Sequence, residues 1–170
     1  MICKDISVLT PLACEACMCF LSECKARGIN IFITETFRSQ ARQDRLYAQG
    51  RTTSGKIVTW TRTSRHTSRL AWDIACSMPL PLYDTETLKK AGEVAKALGI
   101  SWGGIWETPD LPHFEISEDW KPKVKIRLNG KEKFVESINK DGYNYIRLRD
   151  LADEKIKIDY DGIPIISVVK

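Results

Sequence analysis

The sequence predicts a mixed fold of helices and strands, built in two parts. Helical and strand periods interleave over residues 1–120, with glycines standing where helices should stop. Composition then shifts at Trp120-Lys-Pro-Lys123 into a β-rich piece, residues 121–170, that holds no histidine and no cysteine. At 170 residues the chain has room for one good core and a small appendage.

From about Ser7 to Arg27 the period is helical, and Gly28 is its stop. Cys14, Cys17, Cys19 and Cys24 crowd into eleven residues of this helix. Cys17 and Cys24 share an apolar face with Ala13, Phe20 and Leu21, so packing as small hydrophobes is favoured over a structural metal or a disulfide. Such thiols fit a reducing cytoplasm. Ile29 to Thr36 alternates and is β-branched, which predicts a strand. Ser39 is placed to cap a helix running to Gln49, and Gly50 ends it. Arg51 to Thr63 reads as an exposed loop with a short strand at Ile57-Val58-Thr59.

Leu70 to Ala75 reads as a buried strand with Ala71 and Asp73 on one side and Leu70 and Trp72 on the other. After a proline-rich bend at Met78–Pro81, a helix is expected from Thr85 to Leu98, with Thr85 or Thr87 as cap and Gly99 as stop. Trp102-Gly-Gly-Ile-Trp106 is a turn, and Pro109–Pro112 leads into a strand from His113 to Ile116 in which Phe114 points into the core. In the second part, Asn129-Gly130 between alternating apolar residues predicts a two-residue hairpin. A short helix over Leu148–Glu154 and strands over Ile156–Tyr160 and Ile163–Val169 complete it.

The chain has only two histidines, His66 and His113, each close to an aspartate. A hydrolytic zinc ion takes three protein ligands and leaves a position for water. His66, Asp73 and His113 would supply that set, and Zn2+ is the expected cofactor. Asp110, three residues before His113 across a turn, is the candidate general base. Arg38, at a strand-to-helix junction, would meet developing negative charge, and Ser64 would hydrogen-bond substrate or orient the loop of His66. Each also has a plainer reading: His66 as a solvated loop residue, Asp110 as a turn former, Arg38 as one more surface arginine. Trp102, Trp106 and Phe114 read first as core, with Trp106 also a substrate-binding candidate.

Net charge of +4 suits an anionic partner without selecting one. No nucleic-acid motif is present, and no apolar run is long enough for membrane insertion. The N-terminus shows no basic start leading into an apolar run, so no signal peptide is expected.

Glu35-Thr-Phe-Arg38-Ser, the run Arg42 to Thr52, Ser64-x-His66 with Ala71-Trp-Asp73, Trp102-Gly-Gly-Ile-Trp106 and Asp110-x-Pro-His113-Phe-Glu together resemble the zinc D-alanyl-D-alanine carboxypeptidase-like metallopeptidases. Within these the chain looks most like the branch of phage endolysins and bacterial L-alanyl-D-glutamate endopeptidases, over about residues 1–118. The resemblance implies a small α+β fold with an antiparallel sheet, zinc on His66, Asp73 and His113, Asp110 as base and Arg38 near the scissile carbonyl. The substrate it implies is the stem peptide of bacterial peptidoglycan. The family pattern Ser-x-His-x-x-Gly-x-Ala-x-Asp has Arg69 in place of its glycine here, which puts either the loop's backbone shape or the room for substrate in question.

The expected function is therefore an endolysin that waits in the host cytoplasm, needs a separate pore, and then acts on the cell wall. The alternatives are a D-alanyl-D-alanine carboxypeptidase or dipeptidase, and a non-catalytic, zinc-stabilised wall-binding protein. Residues 121–170 loosely resemble β-rich repeats of Gram-positive surface proteins and are expected to serve wall binding or self-association.

Overall fold

The computed structural model describes residues 2–140 and 143–169, with the side chains of 139 and 140 left aside. They form two compact units, Met1–Trp120 and Lys121–Lys170. The first is α+β: helices α1 (Pro11–Ala26), α2 (Gln40–Ala48) and α3 (Thr85–Leu98), and strands β1 (Ile31–Glu35), β2 (Ala71–Cys76), β3 (Ser101–Trp102) and β4 (His113–Glu115). The strands make one antiparallel sheet in the order β1-β2-β4-β3.

Helix α1 begins later than its apolar period suggests. Pro11 occupies the first turn, where its missing N–H costs nothing, and it pushes Thr10 to an extended ψ of 153°. The Thr10 hydroxyl accepts from the Ala13 amide, and a separate 3-10 turn covers Ile6–Val8. Ala13, Ala16, Cys17, Phe20 and Cys24 form its buried face, and all six cysteines are free thiols. Helix α3 is capped by Asp84, not by Thr85 or Thr87. One oxygen of its carboxylate accepts from both the amide and the hydroxyl of Thr87. Gly99 closes the helix with a left-handed φ of 72°. Residues 57–59 form no strand, and the Thr59 hydroxyl accepts from Gln43 of α2 instead.

One face of the sheet is the core. Trp72, Phe114 and Phe20 are fully buried there, with Phe20 stacked 4.6 Å from Phe114 and 6.0 Å from Trp72. The other face is polar, and strand register lines up its members. Asp73 pairs with Glu35 on β1 and with His113 on β4, so three ionisable residues stand in one row across the sheet. Alternation along β4 adds Glu115 to that face.

The second unit holds an antiparallel three-stranded sheet of β5 (Lys123–Leu128), β6 (Lys131–Lys140) and β7 (Tyr143–Ile146), and a hairpin of β8 (Ile156–Asp161) and β9 (Ile163–Val168). Asn129 and Gly130 turn the first hairpin with φ of 50° and 79°, the both-positive pattern of a type I′ turn. Strand β7 was not expected from the sequence. The helix expected over Leu148–Glu154 is only a 3-10 turn at Leu148–Leu151, too short to carry a helical face. None of the described helices is long and apolar enough to cross a membrane.

Candidate active site

His66 reaches the sheet from a turn just before β2. Ser64 shapes that turn: its hydroxyl accepts from the His66 amide at 3.3 Å, and its carbonyl accepts from the Thr67 hydroxyl at 2.6 Å. Of the two roles considered for Ser64, the structure displays the loop-orienting one. Arg69 closes the turn at a left-handed φ of 60°. Its side chain is exposed and does not line the cleft, and its guanidinium lies over Phe37 at 5.1 Å. The glycine of the family pattern is thus explained by backbone conformation and not by space for substrate.

His66, Asp73 and His113 converge. His66 Nε2 lies 3.1 Å from Asp73 Oδ1 and 3.2 Å from His113 Nδ1, and His113 Nδ1 lies 3.0 Å from the same carboxylate oxygen. The outer ring nitrogens are already engaged. His66 Nδ1 donates to the Thr36 carbonyl at 2.6 Å, and His113 Nε2 donates to Glu115 at 3.0 Å. Those bonds hold the protons outside and turn two imidazole lone pairs and one carboxylate oxygen toward a common point. Their spacing matches the roughly 3.3 Å between two ligands held tetrahedrally about 2.0–2.1 Å from one ion. The residues present therefore fit a divalent metal.

Charge and burial agree with a site prepared for a cation. Burial pushes the Asp73 carboxyl toward neutrality, yet the neighbouring His113 and His66 rings outweigh it and hold its pKa well below the usual range. For His113 burial opposes charge, but bonds to Asp73 and Glu115 prevail and raise its pKa to about 9 in the metal-free protein. A proton on Nδ1 then occupies the lone pair that a metal would use.

Asp110 lines the same cleft, and its pKa is raised by burial and by the charge of Asp73, with His113, His66 and Arg38 pulling the other way. It is positioned by its backbone, whose amide donates to Gly103 at 2.9 Å while its carbonyl accepts from His113 at 3.1 Å. Gly103 permits this approach, since a Cβ there would stand 2.6 Å from the Asp110 carbonyl oxygen. Gly92 of α3 and Gly104 make room for Trp102. Its ring fills the space where a Cβ of Gly92 or Gly104 would lie, and its Nε1 donates to Leu111 at 2.8 Å.

Arg38 is no free surface arginine. It is mostly buried, with one Nη donating to Glu35 at 2.6 Å, the other to Gln43 at 2.9 Å, and Asp73 Oδ2 at 3.5 Å. Its buried Nε has no partner among the described residues. Glu35, held between Arg38 and Arg42, has its pKa lowered despite burial because both arginines donate to it. Trp106 belongs to the cleft and not to the core. It is 41% exposed, with its ring 5.1 Å from that of His113.

Sequence reasoning named the convergent residues and missed those that aim them. Thr36, Glu35, Gln43 and Glu115 had no role assigned. Glu115 carried a signal in its alternation with His113. Thr36 acts through its carbonyl, which no side-chain pattern reveals. The cleft has a volume of about 930 Å³, with the segment Ile57–Thr63 on one wall and Trp106–Asp110 on the other.

Residues 58–116 match the family model described as D-alanyl-D-alanine carboxypeptidase, a span containing His66, Asp73, Asp110 and His113. The chain is 42% identical over 104 residues to the peptidoglycan L-alanyl-D-glutamate endopeptidase CwlK of Bacillus subtilis (strain 168), covering 53% of this chain and 62% of that protein. It thus spans less than two thirds of that relative's length. The fold is similar to the crystal structure of the L-Ala D-Glu endopeptidase ChiX of Serratia marcescens, with a TM-score of 0.50 and 22% identity over 66% of this chain and 83% of the other.

Proposed function

We propose that this chain, whose residues 58–116 match the family model described as D-alanyl-D-alanine carboxypeptidase, is a zinc-dependent peptidoglycan peptidase that hydrolyses the L-alanyl–D-glutamate bond of the stem peptide. The observation that carries the reading is the convergence of two imidazole lone pairs and one carboxylate oxygen, with both outer ring nitrogens tied down. His66, Asp73 and His113 would hold the ion, which when bound acidifies water and polarises a carbonyl. The name of the 42% identical relative supports the choice of bond.

Asp110 is the proton carrier. With its pKa raised, its carboxylate is a better base than an ordinary aspartate. It takes a proton from the attacking water as the carbon–oxygen bond forms, then passes it to the departing amide nitrogen as the carbon–nitrogen bond breaks. Arg38 lines the cleft 3.5 Å from Asp73 Oδ2, where its guanidinium charge would meet charge on the carbonyl oxygen. Trp106 supplies an apolar wall against the His113 side of the cleft.

A D-alanyl-D-alanine carboxypeptidase is the second reading, favoured by the description of the matching family model. Mass spectrometry of digested, purified peptidoglycan separates the two. New D-glutamyl amino termini are expected, and release of free D-alanine alone would replace the endopeptidase reading with the carboxypeptidase one. Metal analysis of the purified protein tests zinc. The resemblance also supports a phage endolysin that reaches the wall from the host cytoplasm through a separate pore, so expressing cells should lyse only after their inner membrane is permeabilised. For residues 121–170 the proposed roles are wall binding or self-association, distinguished by pull-down on purified walls and by sedimentation.

A further inference from the structure

The segment between Gly50 and Thr63 packs with Tyr47 of α2 in an aromatic–arginine stack that the hydrolytic site does not use, and Trp60 is its member on the cleft wall. The Arg51 guanidinium carbon lies 4.0 Å from the centre of the Tyr47 ring and 5.5 Å from that of Trp60, and Arg62 stands 4.8 Å from Tyr47. Arg51 is fixed in turn, donating to the carbonyls of Tyr47 at 2.6 Å and Thr59 at 3.1 Å. Helix α2 ties the rest of the segment. Gln43 donates to the Thr61 carbonyl at 2.7 Å, and Gln40 to that of Arg62 at 2.9 Å. An irregular segment is thus held in one shape by side-chain bonds to its backbone.

Trp60 is nevertheless 69% exposed, and it lines the same cleft as His66, Asp73, His113 and Asp110. A large aromatic residue is normally buried. One that is exposed yet already ordered loses little freedom on binding and is suited to take a flat partner. The peptide around the scissile bond offers no such partner, since alanine presents a methyl group and glutamate a carboxylate. The next group on the amino side of that alanine is the lactyl ether of an N-acetylated amino sugar. A pyranose ring has apolar C–H faces and a polar edge. It complements an exposed indole with the Arg51 guanidinium beside it.

We propose that Trp60, in its stack with Arg51, Tyr47 and Arg62, is a subsite for an amino-sugar ring of the glycan strand, so that peptidoglycan is gripped by sugar as well as by peptide. This rests on the peptidoglycan-peptidase reading. The competing account is that the stack only latches the loop.

The test uses the full chain and glycan strands stripped of their stem peptides, titrated calorimetrically into wild type, Trp60→Ala and Trp60→Tyr. Wild type should bind, Trp60→Ala should bind about tenfold more weakly, and Trp60→Tyr should keep most of the affinity. Equal binding by wild type and Trp60→Ala, or no binding by wild type, overturns the subsite. A second measurement compares kcat/KM for a muramoyl peptide with that for the same peptide without sugar. The ratio should fall about tenfold in Trp60→Ala. A latch alone would lower both rates together and leave the ratio unchanged, which overturns the inference while the peptidase reading stands. Trp60-dependent binding of stripped glycan by a protein that cleaves neither substrate would leave the subsite in place and sink the peptidase.

Discussion

At the scale of single residues, burial and neighbouring charges move the ionisable groups of the candidate site away from their ordinary pKa values. Asp110 is the clearest case, because burial and the neighbouring Asp73 raise its pKa. A carboxyl whose folded pKa exceeds its ordinary value makes the fold less stable above that value, where it must ionise. Asp110→Ala should therefore keep the metal and leave Tm equal or higher at neutral pH, while kcat falls by about 10²–10⁴. Metal content, a melting curve and a peptide-cleavage assay check the three parts, and undiminished cleavage would refute the assignment as base. Arg69 holds a left-handed φ of 60° that arginine disfavours. Arg69→Gly should consequently be more stable than Arg69→Ala by about 1 kcal/mol in chemical denaturation, since the two variants lose the same stacking on Phe37.

His113 gives a pH signature. Its folded pKa is raised to about 9 in the metal-free chain, above the ordinary value of about 6.5. The stability it contributes is complete below about pH 6.5 and is lost as pH rises to about 9. Chelated protein should accordingly melt at progressively lower temperature across that window. The metal-loaded protein should show the opposite sensitivity. Acid restores the competing proton, so apparent metal affinity should weaken as pH falls below about 9.

At the scale of elements, strand register does most of the positioning. The row Glu35–Asp73–His113 crosses three strands, and β4 then brings Glu115 behind the His113 ring. The turn between β3 and β4 is equally specified, because Gly103 lets the Asp110 carbonyl approach its backbone. Gly103→Ala should cost about 1–3 kcal/mol of stability by overpacking. It should also lower kcat/KM by up to about 10²-fold by displacing Asp110, the proposed base. An activity loss no larger than that of a neutral surface mutant would show that the turn tolerates the shift. Helix α2 has the corresponding role on the other wall, where Gln43 joins Arg38 to the loop of Thr59 and Thr61.

At the scale of the molecule, a polar sheet face carrying several buried charges is balanced by an apolar face carrying the core. Trp72, Phe114 and Phe20 supply large buried area on that side. An ion bound only by the folded state adds to this by mass action, about 4 kcal/mol when present at 1,000 times its Kd. Chelation should thus abolish wall clearing and lower Tm, and restored metal should reverse both. Loss of activity without any change in Tm would mean that the ion is not held by the folded site.

How much of this was legible depends on how local each cause is. Helix stops at Gly28 and Gly99, the Ser39 cap and the Asn129-Gly130 turn are decided by a few adjacent residues, so the elements and most of their ends could be read directly. Thr10-Pro11 and Asp84 were equally local signals that a search for apolar period alone passes over. His66, Asp73 and His113 could be singled out because imidazole is scarce in this chain and has few chemical uses beside a carboxylate. Their convergence could not, since it depends on the antiparallel register of β2 and β4 and on a turn closing at Arg69. The Thr36 carbonyl, the Glu35 clamp on Arg38 and the exposed Trp60 joined to Tyr47 through Arg51 likewise exist only in three dimensions. Sequence alone determined which groups were available for chemistry. Tertiary structure decided which way their lone pairs face, because a ring's direction is set by hydrogen bonds to backbone and side chains contributed by other elements.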